Sequence, residues 1–168
     1  RKVERYLNRT RMYPTYFIDE DAIGTRILSW LQVKYNIDGT LYWSTTVFQK
    51  WDGKRYIPRD VWTDSTAFPN THGDGYLLYP GSRYGIDGPI GTIRLAMIRE
   101  GNEDLEYFHL LKRLAKEFGL SDAETEGLIE ELINPVATNL TQWKREPELL
   151  YEQRRKVAEQ IICLQGKL

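Results

Sequence analysis

Cysteine is all but missing: Cys163 is the only one, so no internal disulfide can form and cysteine usage assigns the chain to neither redox compartment. A lone cysteine on a late helix is expected in the core. Histidine is nearly as scarce. His72 and His109 are the two present, and without HExxH spacing or a Cys/His cluster no metal site and no cofactor are expected. No apolar run approaches bilayer length, so no membrane span is expected. Charge of one sign is lacking too: 23 basic against 24 acidic residues give a net charge of -1. Phosphate backbones demand a clustered basic surplus, so nucleic acid is not an expected partner. GxSxG, GxGxxG and P-loop patterns are absent, which removes the serine-hydrolase elbow and the common nucleotide cradles. The sequence opens on Arg1 with no initiator methionine and no signal-type segment, as expected of a piece cut from a longer parent.

What remains is an ordinary soluble balance, 41% hydrophobic and 28% charged over 168 residues, enough for one core. Aromatics stand out, with five Trp and eleven Tyr. Such rings fill cores and also stack against the C–H face of a pyranose.

Taken in order, Arg1 to Arg11 reads as a helix end or an extended arm. Tyr13-Pro14 then restricts the chain to extended geometry and Asp19 is placed to cap a helix over Glu20–Tyr35, whose buried face is Ile23, Ile27, Trp30, Leu31 and the stem of Lys34. Thr40–Phe48 is rich in aromatic and β-branched residues and predicts a strand. Gln49–His72, with its breakers Asp52-Gly53, Ile57-Pro58 and Phe68-Pro69-Asn70, predicts a long functional loop holding a small hairpin. A second strand is expected over Tyr76–Tyr79. A helix over about Thr92–Phe118 should line one face with Ile93, Met97, Phe108, Leu111, Ala115 and Phe118. Gly101 is either tolerated inside it or replaced as a boundary by Asn102, with Gly119 as the stop. Ser121 and Glu124 form a capping box for a helix to about Ile133. Pro147 opens a last helix with Leu150, Val157, Ile161 and Leu164 as its buried stripe.

Candidate chemistry is carried by acids and rings. Asp19-Glu20-Asp21 and Glu103-Asp104 lie at helix starts, where acids complement the dipole, so they read as structural. Asp74 sits between two glycines before a strand and is the one catalytic candidate, although Asp-Gly is also a common turn pair. His72 beside it reads more readily as a turn residue than as a catalyst. Tyr42, Trp43, Trp51, Trp62 and Tyr79 could converge on one rim if strand ends share a face, as in a barrel. Core packing explains about half of them equally well.

Several runs then carry a likeness: Tyr16-Phe17-Ile18-Asp19, Arg26-Ile27-Leu28-Ser29-Trp30, Gly39-Thr40-Leu41-Tyr42-Trp43, Gly73-Asp74-Gly75-Tyr76-Leu77-Leu78-Tyr79-Pro80-Gly81, and Ile93-Arg94-Leu95 with Arg99-Glu100-Gly101-Asn102-Glu103-Asp104. In this order they resemble the C-terminal part of the glycoside hydrolase family 123 catalytic domain and the related domain of unknown function 4091. The resemblance implies an α/β fold, the C-terminal portion of a (β/α)8-type barrel over residues 1–118 with few strands, followed by a helical extension over residues 119–168 packed on it as one unit. It also implies a retaining β-N-acetylgalactosaminidase activity in which the substrate's acetamido oxygen is the nucleophile. The adjacent Asp-Glu pair of that family matches no position here, so the fragment is expected to be inactive alone. Tyr42, Trp43, Trp51, Asp74 and Tyr79 are the expected substrate-binding residues, with Trp43 as sugar platform. Arg94 and Arg99 are expected to bridge Glu103 or Asp104. Expected partners are a glycan or glycoconjugate and the rest of the parent chain, whose place by resemblance is secreted or cell-surface. Two strands cannot close a barrel, so self-association of the fragment is expected as well. A complete hydrolase with acids among Asp19, Glu20, Asp74 and Glu103, a non-catalytic carbohydrate-binding module, and a purely structural helical module are the alternatives.

Overall fold

Four α-helices, a short 3-10 helix at Gly81–Tyr84 and three small hairpins, joined by loops, are found in the residues described by the computed structural model, 13–66 and 71–166. The expectation for Arg1 to Arg11 and the turn at Phe68-Pro69-Asn70 lie outside them. The helices are α1 (Ala22–Lys34), α2 (Ile93–Phe118), α3 (Asp122–Ile133) and α4 (Pro147–Gln165). The strands are β1 (Gln49–Trp51), β2 (Tyr56–Pro58), β3 (Leu78–Pro80), β4 (Pro89–Gly91), β5 (Ala137–Asn139) and β6 (Gln142–Trp143).

Nine of the thirteen residues of α1 are buried, including Thr25, Arg26, Ser29 and Gln32. A one-sided amphipathic helix would bury about half of them. The reason is enclosure: α2, α3 and β5 all pack on α1. The core joins Ile27, Trp30 and Leu31 of α1 to Phe108, Leu111 and Ala115 of α2, Ile129 and Ile133 of α3, and Leu150, Val157, Ile161 and Leu164 of α4. Trp30 and Phe108 meet edge to face with centroids 5.0 Å apart, a contact worth about 0.5–1.5 kcal/mol beyond the buried area.

Gly101 does not break α2, which runs through it for 26 residues. A Cβ there would lie 2.5 Å from Ser29 Oγ, so the glycine lets α1 and α2 approach closely. That packing offsets its helix cost of about 1 kcal/mol. Thr92 Oγ1 accepts from the Leu95 amide to open α2, and Gly119 closes it in a left-handed conformation. Both halves of the Ser121–Glu124 capping box form. Pro147 takes the first turn of α4.

Three corrections concern helix surfaces. Asp21 rather than Asp19 occupies the N-cap of α1, and it makes no side-chain cap bond. Ile93 and Phe118, expected on the buried face of α2, are exposed at its two ends, where the core does not extend. Cys163 is exposed rather than buried, because the inward stripe of α4 passes through Ile161 and Leu164 on either side of it.

The sheets depart further from expectation. Among the described residues helix accounts for 49% and strand for 13%, with small sheets, which fits a mixed α/β class. Among the described residues all three sheets are antiparallel pairs, β1–β2, β3–β4 and β5–β6. Thr40–Phe48 is irregular, bending at Trp43 and Thr45, rather than a strand, and Tyr76–Tyr79 gives way to β3 two residues on. The two segments do meet. Thr46 bridges Tyr76 in antiparallel sense, Val47 N donates to Gly75 O at 3.0 Å and Leu77 N to Thr45 O at 2.9 Å. Their polarity is opposite to that of neighbouring barrel strands. The β-branched run thus finds its backbone partners in a turn rather than in a ladder.

Candidate functional site

The Gly73-Asp74-Gly75 turn is where the loop half of the molecule is tied together. Gly73 and Gly75 have φ of 78° and 81°, and a Cβ on Gly73 would meet Ile18 and, at 2.7 Å, Arg94 Nη1. A Cβ on Gly75 would run into the ring of Trp43. Glycine is therefore required twice, for conformation and for room. Between them Asp74 is held half-buried.

Two aromatic donors grip one oxygen of that carboxylate. The Tyr42 hydroxyl and the Trp43 indole Nε1 each donate to Asp74 Oδ1 at 3.0 Å. The same hydroxyl accepts from the Gly75 amide at 2.7 Å, so its orientation is fixed. Burial pushes the Tyr42 phenol up to about 12, and the charge of Asp74 and its hydrogen bond add to the shift against the opposing Gly75 amide. Tyr42 is thus a neutral donor at physiological pH. The Tyr16 ring lies against it, centroids 4.9 Å apart. Asp74 Oδ2 accepts no bond among the described residues. Beside it the Trp43 side chain is half in solvent, the residue being 52% exposed.

The other rings form two further groups. Tyr79 packs on Trp62 and Tyr76, with centroids 4.5 and 5.3 Å away, and Trp62 also meets Tyr84. Trp62 Nε1 donates to Pro80 O at 3.2 Å. Trp51 lies across the β1–β2 hairpin from Tyr56, both exposed, with rings 5.2 Å apart. Of the five expected binding residues, then, Tyr42, Trp43 and Asp74 share one cluster, Tyr79 belongs to the Trp62 group, and Trp51 sits on a hairpin of its own.

The remaining acids act elsewhere. Glu20 and Asp21 lie 3.6 and 2.5 Å from Arg145 Nη1, linking the start of α1 to the segment after β6. Glu103 lies 3.8 Å from Arg154. Asp104, 1% exposed, accepts from Arg26 Nε and Nη2 at 2.6 and 2.8 Å, from Trp30 Nε1 at 2.9 Å and from Arg154 Nε at 2.7 Å. Arg99 pairs with Glu100 at 2.8 Å instead of with Glu103 or Asp104. Arg94 forms no such bridge either: it is buried and donates to three backbone carbonyls. Sequence patterning missed the Arg94 contacts, because its i,i+4 logic sees only helix neighbours. Tyr16 was also missed, and nothing local in the sequence marks it. His72 is exposed, with Nδ1 2.5 Å from Ser65 Oγ and its carbonyl accepting from Ile18 N.

An open groove of about 900 Å³ runs along α2 past Leu95, Ile98, Asn102 and Glu106. None of its lining residues belongs to the aromatic groups. Among the described residues no group of three or more His, Cys, Asp or Glu could hold a metal ion, and no helix is long and apolar enough to cross a membrane.

A model of the glycoside hydrolase 123 catalytic domain matches residues 2–111. The chain belongs to that family. The match takes in the Tyr42–Trp43–Asp74 cluster and most of α2, while α3, the β5–β6 hairpin and α4 follow it. A search of curated proteins finds no match. As a glycoside hydrolase 123 domain, the chain is glycosidase-related.

Proposed function

We propose that the chain supplies part of the sugar-binding rim of a glycoside hydrolase domain, with Trp43 as platform and Asp74 as hydrogen-bond acceptor for a hydroxyl or amide of the sugar. The observation that carries this is the unequal use of the Asp74 oxygens. Oδ1 is anchored by two donors, which sets the carboxylate plane, while Oδ2 is left to accept. A pyranose laid on an exposed indole face buries its C–H groups there and keeps its polar edge for such an acceptor.

For the whole domain the activity is a retaining β-N-acetylgalactosaminidase assisted by the substrate's acetamido group, as the family resemblance implies. Glycoside hydrolysis calls on two carboxyl groups flanking the scissile bond, apart from cases where the substrate provides the nucleophile. Even then an acid must protonate the leaving group. The adjacent Asp-Glu pair that the family resemblance implies matches no position in this sequence, so the general acid comes from elsewhere in the parent domain and this chain alone does not turn substrate over. Trp51 and Tyr79 extend the rim from their separate ring groups, and the barrel portion is completed by the remainder of the parent.

Titrating the 168-residue chain with N-acetylgalactosamine while following tryptophan fluorescence tests the reading. Saturable quenching that Trp43→Ala abolishes, with no release of chromophore from a chromogenic β-N-acetylgalactosaminide, is expected. Turnover lost in Asp74→Asn would make the chain a complete enzyme instead. No binding by the wild type at millimolar sugar would end the rim proposal.

A further inference from the structure

We propose that Arg94 is the positioning residue of the Asp74 site, a clasp that fixes the glycine turn so that Tyr42 and Trp43 can hold the carboxylate. Arg94 is the second residue of α2 and is 4% exposed. Nη1 donates to Tyr16 O at 2.8 Å and to Gly73 O at 2.5 Å, and Nη2 donates to Tyr76 O at 2.8 Å. The Gly73 and Tyr76 carbonyls bracket Asp74 and Gly75, so one planar group spans the turn from end to end. The third acceptor belongs to the segment leading into α1, and the ring of that same Tyr16 packs on Tyr42. A single guanidinium therefore sets both the carboxylate and the ring behind one of its two donors.

The chemistry of the clasp is specific to arginine. Among the described residues Arg94 makes no ion pair, and three of its N–H groups go to neutral carbonyls, which a buried cation tolerates only when they are well aimed. A guanidinium offers donors in a rigid plane, whereas an ammonium has no fixed fork and can reach one or two of the three acceptors. The Tyr76 ring, 5.6 Å from the guanidinium carbon, adds a π face on the remaining side. A residue serving packing alone would not need donors aimed at both ends of the Asp74 turn.

The effect on sugar binding rests on the rim reading; the clasp itself does not, so the test reads the two separately. In Arg94→Lys the hydrogen exchange of the Trp43 indole proton, identified by its loss in Trp43→Phe, reports whether Asp74 still accepts from it. The expected result is exchange at least about ten-fold faster, the scale of one lost hydrogen bond to a charged group, matching Asp74→Ala, with helical circular dichroism and cooperative melting retained. Sugar affinity should fall by the same factor as in Asp74→Ala. If Arg94→Lys does not fold, Arg94→Gln, which is neutral and keeps one amide donor group, takes its place. Unchanged indole exchange in a folded variant overturns the proposal, and so does loss of fold in both, since Arg94 would then be a requirement of the core. Faster indole exchange in a protein whose wild type binds no sugar keeps the clasp and retires the rim.

Discussion

Two aspartates in this molecule each accept from a tryptophan indole, and they do opposite things. Asp104 is sealed in the helical half, where both oxygens are taken by Arg26, Arg154 and Trp30. Asp74 sits in the loop half, where Tyr42 and Trp43 share one oxygen and the other accepts nothing among the described residues. The first arrangement pins α1, α2 and α4 together and has no capacity left. The second fixes a carboxylate and keeps half of its acceptor capacity, which is what a ligand can use. Saturation marks the structural acid, and partial satisfaction marks the candidate binding one.

The contrast breaks most severely at Asp104. Asp104→Ala would leave two guanidinium groups and an indole without their acceptor, and removing one partner of a buried charge cluster costs about 3–5 kcal/mol. Urea unfolding followed by circular dichroism should show that loss. Gly101→Ala acts on the same half through packing. Its new Cβ would press on Ser29 where α1 and α2 touch, and such overpacking costs about 1–3 kcal/mol, read as a lower melting temperature.

The loop half should respond to alkali rather than to core mutation. The Tyr42 phenol has a folded-state value near 12 against 10.0 when unperturbed, chiefly through burial. Its neutral form is therefore the one the fold favours. The stability this gives is fully present below about pH 10 and is lost as pH rises from there through about 12. Tyr16 and Tyr76 are raised too, again by burial first, so the measurement is the difference between wild type and Tyr42→Phe. The variant should show the shallower decline in melting temperature over that window. The smallest effect on stability is expected of Asp74→Asn, within about 0.5 kcal/mol because the amide oxygen can still accept at a partly exposed position. If Asp74→Asn destabilised as much as Asp104→Ala, the distinction between the two sites would collapse.

The helical half was readable from sequence because its signals are local. Pro147, the Ser121–Glu124 box, Gly119 and the stripe of α4 all act within a turn or two, and each helix bound fell within two residues of expectation. The roles of the buried charges were not readable. Asp104 meets Arg26, Trp30 and Arg154 across separations of 78, 74 and 50 residues, and from sequence alone it looked like an acid placed for the helix dipole. Thr40–Phe48 misled for a different reason. β-Propensity reports a fit to a pleated, half-buried surface, and here the run bends at Trp43 and Thr45 and meets the Gly73–Leu77 turn through one bridge only. At the candidate site, Asp74 stood out through its flanking glycines. That Tyr42 and Trp43 would grip it, while Tyr79 joined Trp62, depended on the path of the intervening loop.

The most direct test is a crystal structure of the chain soaked with N-acetylgalactosamine. A pyranose face lying on the Trp43 indole, with a hydroxyl or acetamido N–H donating to Asp74 Oδ2, is the predicted result. Sugar bound away from both residues, as in the groove along α2, or no sugar at a saturating concentration, would contradict it.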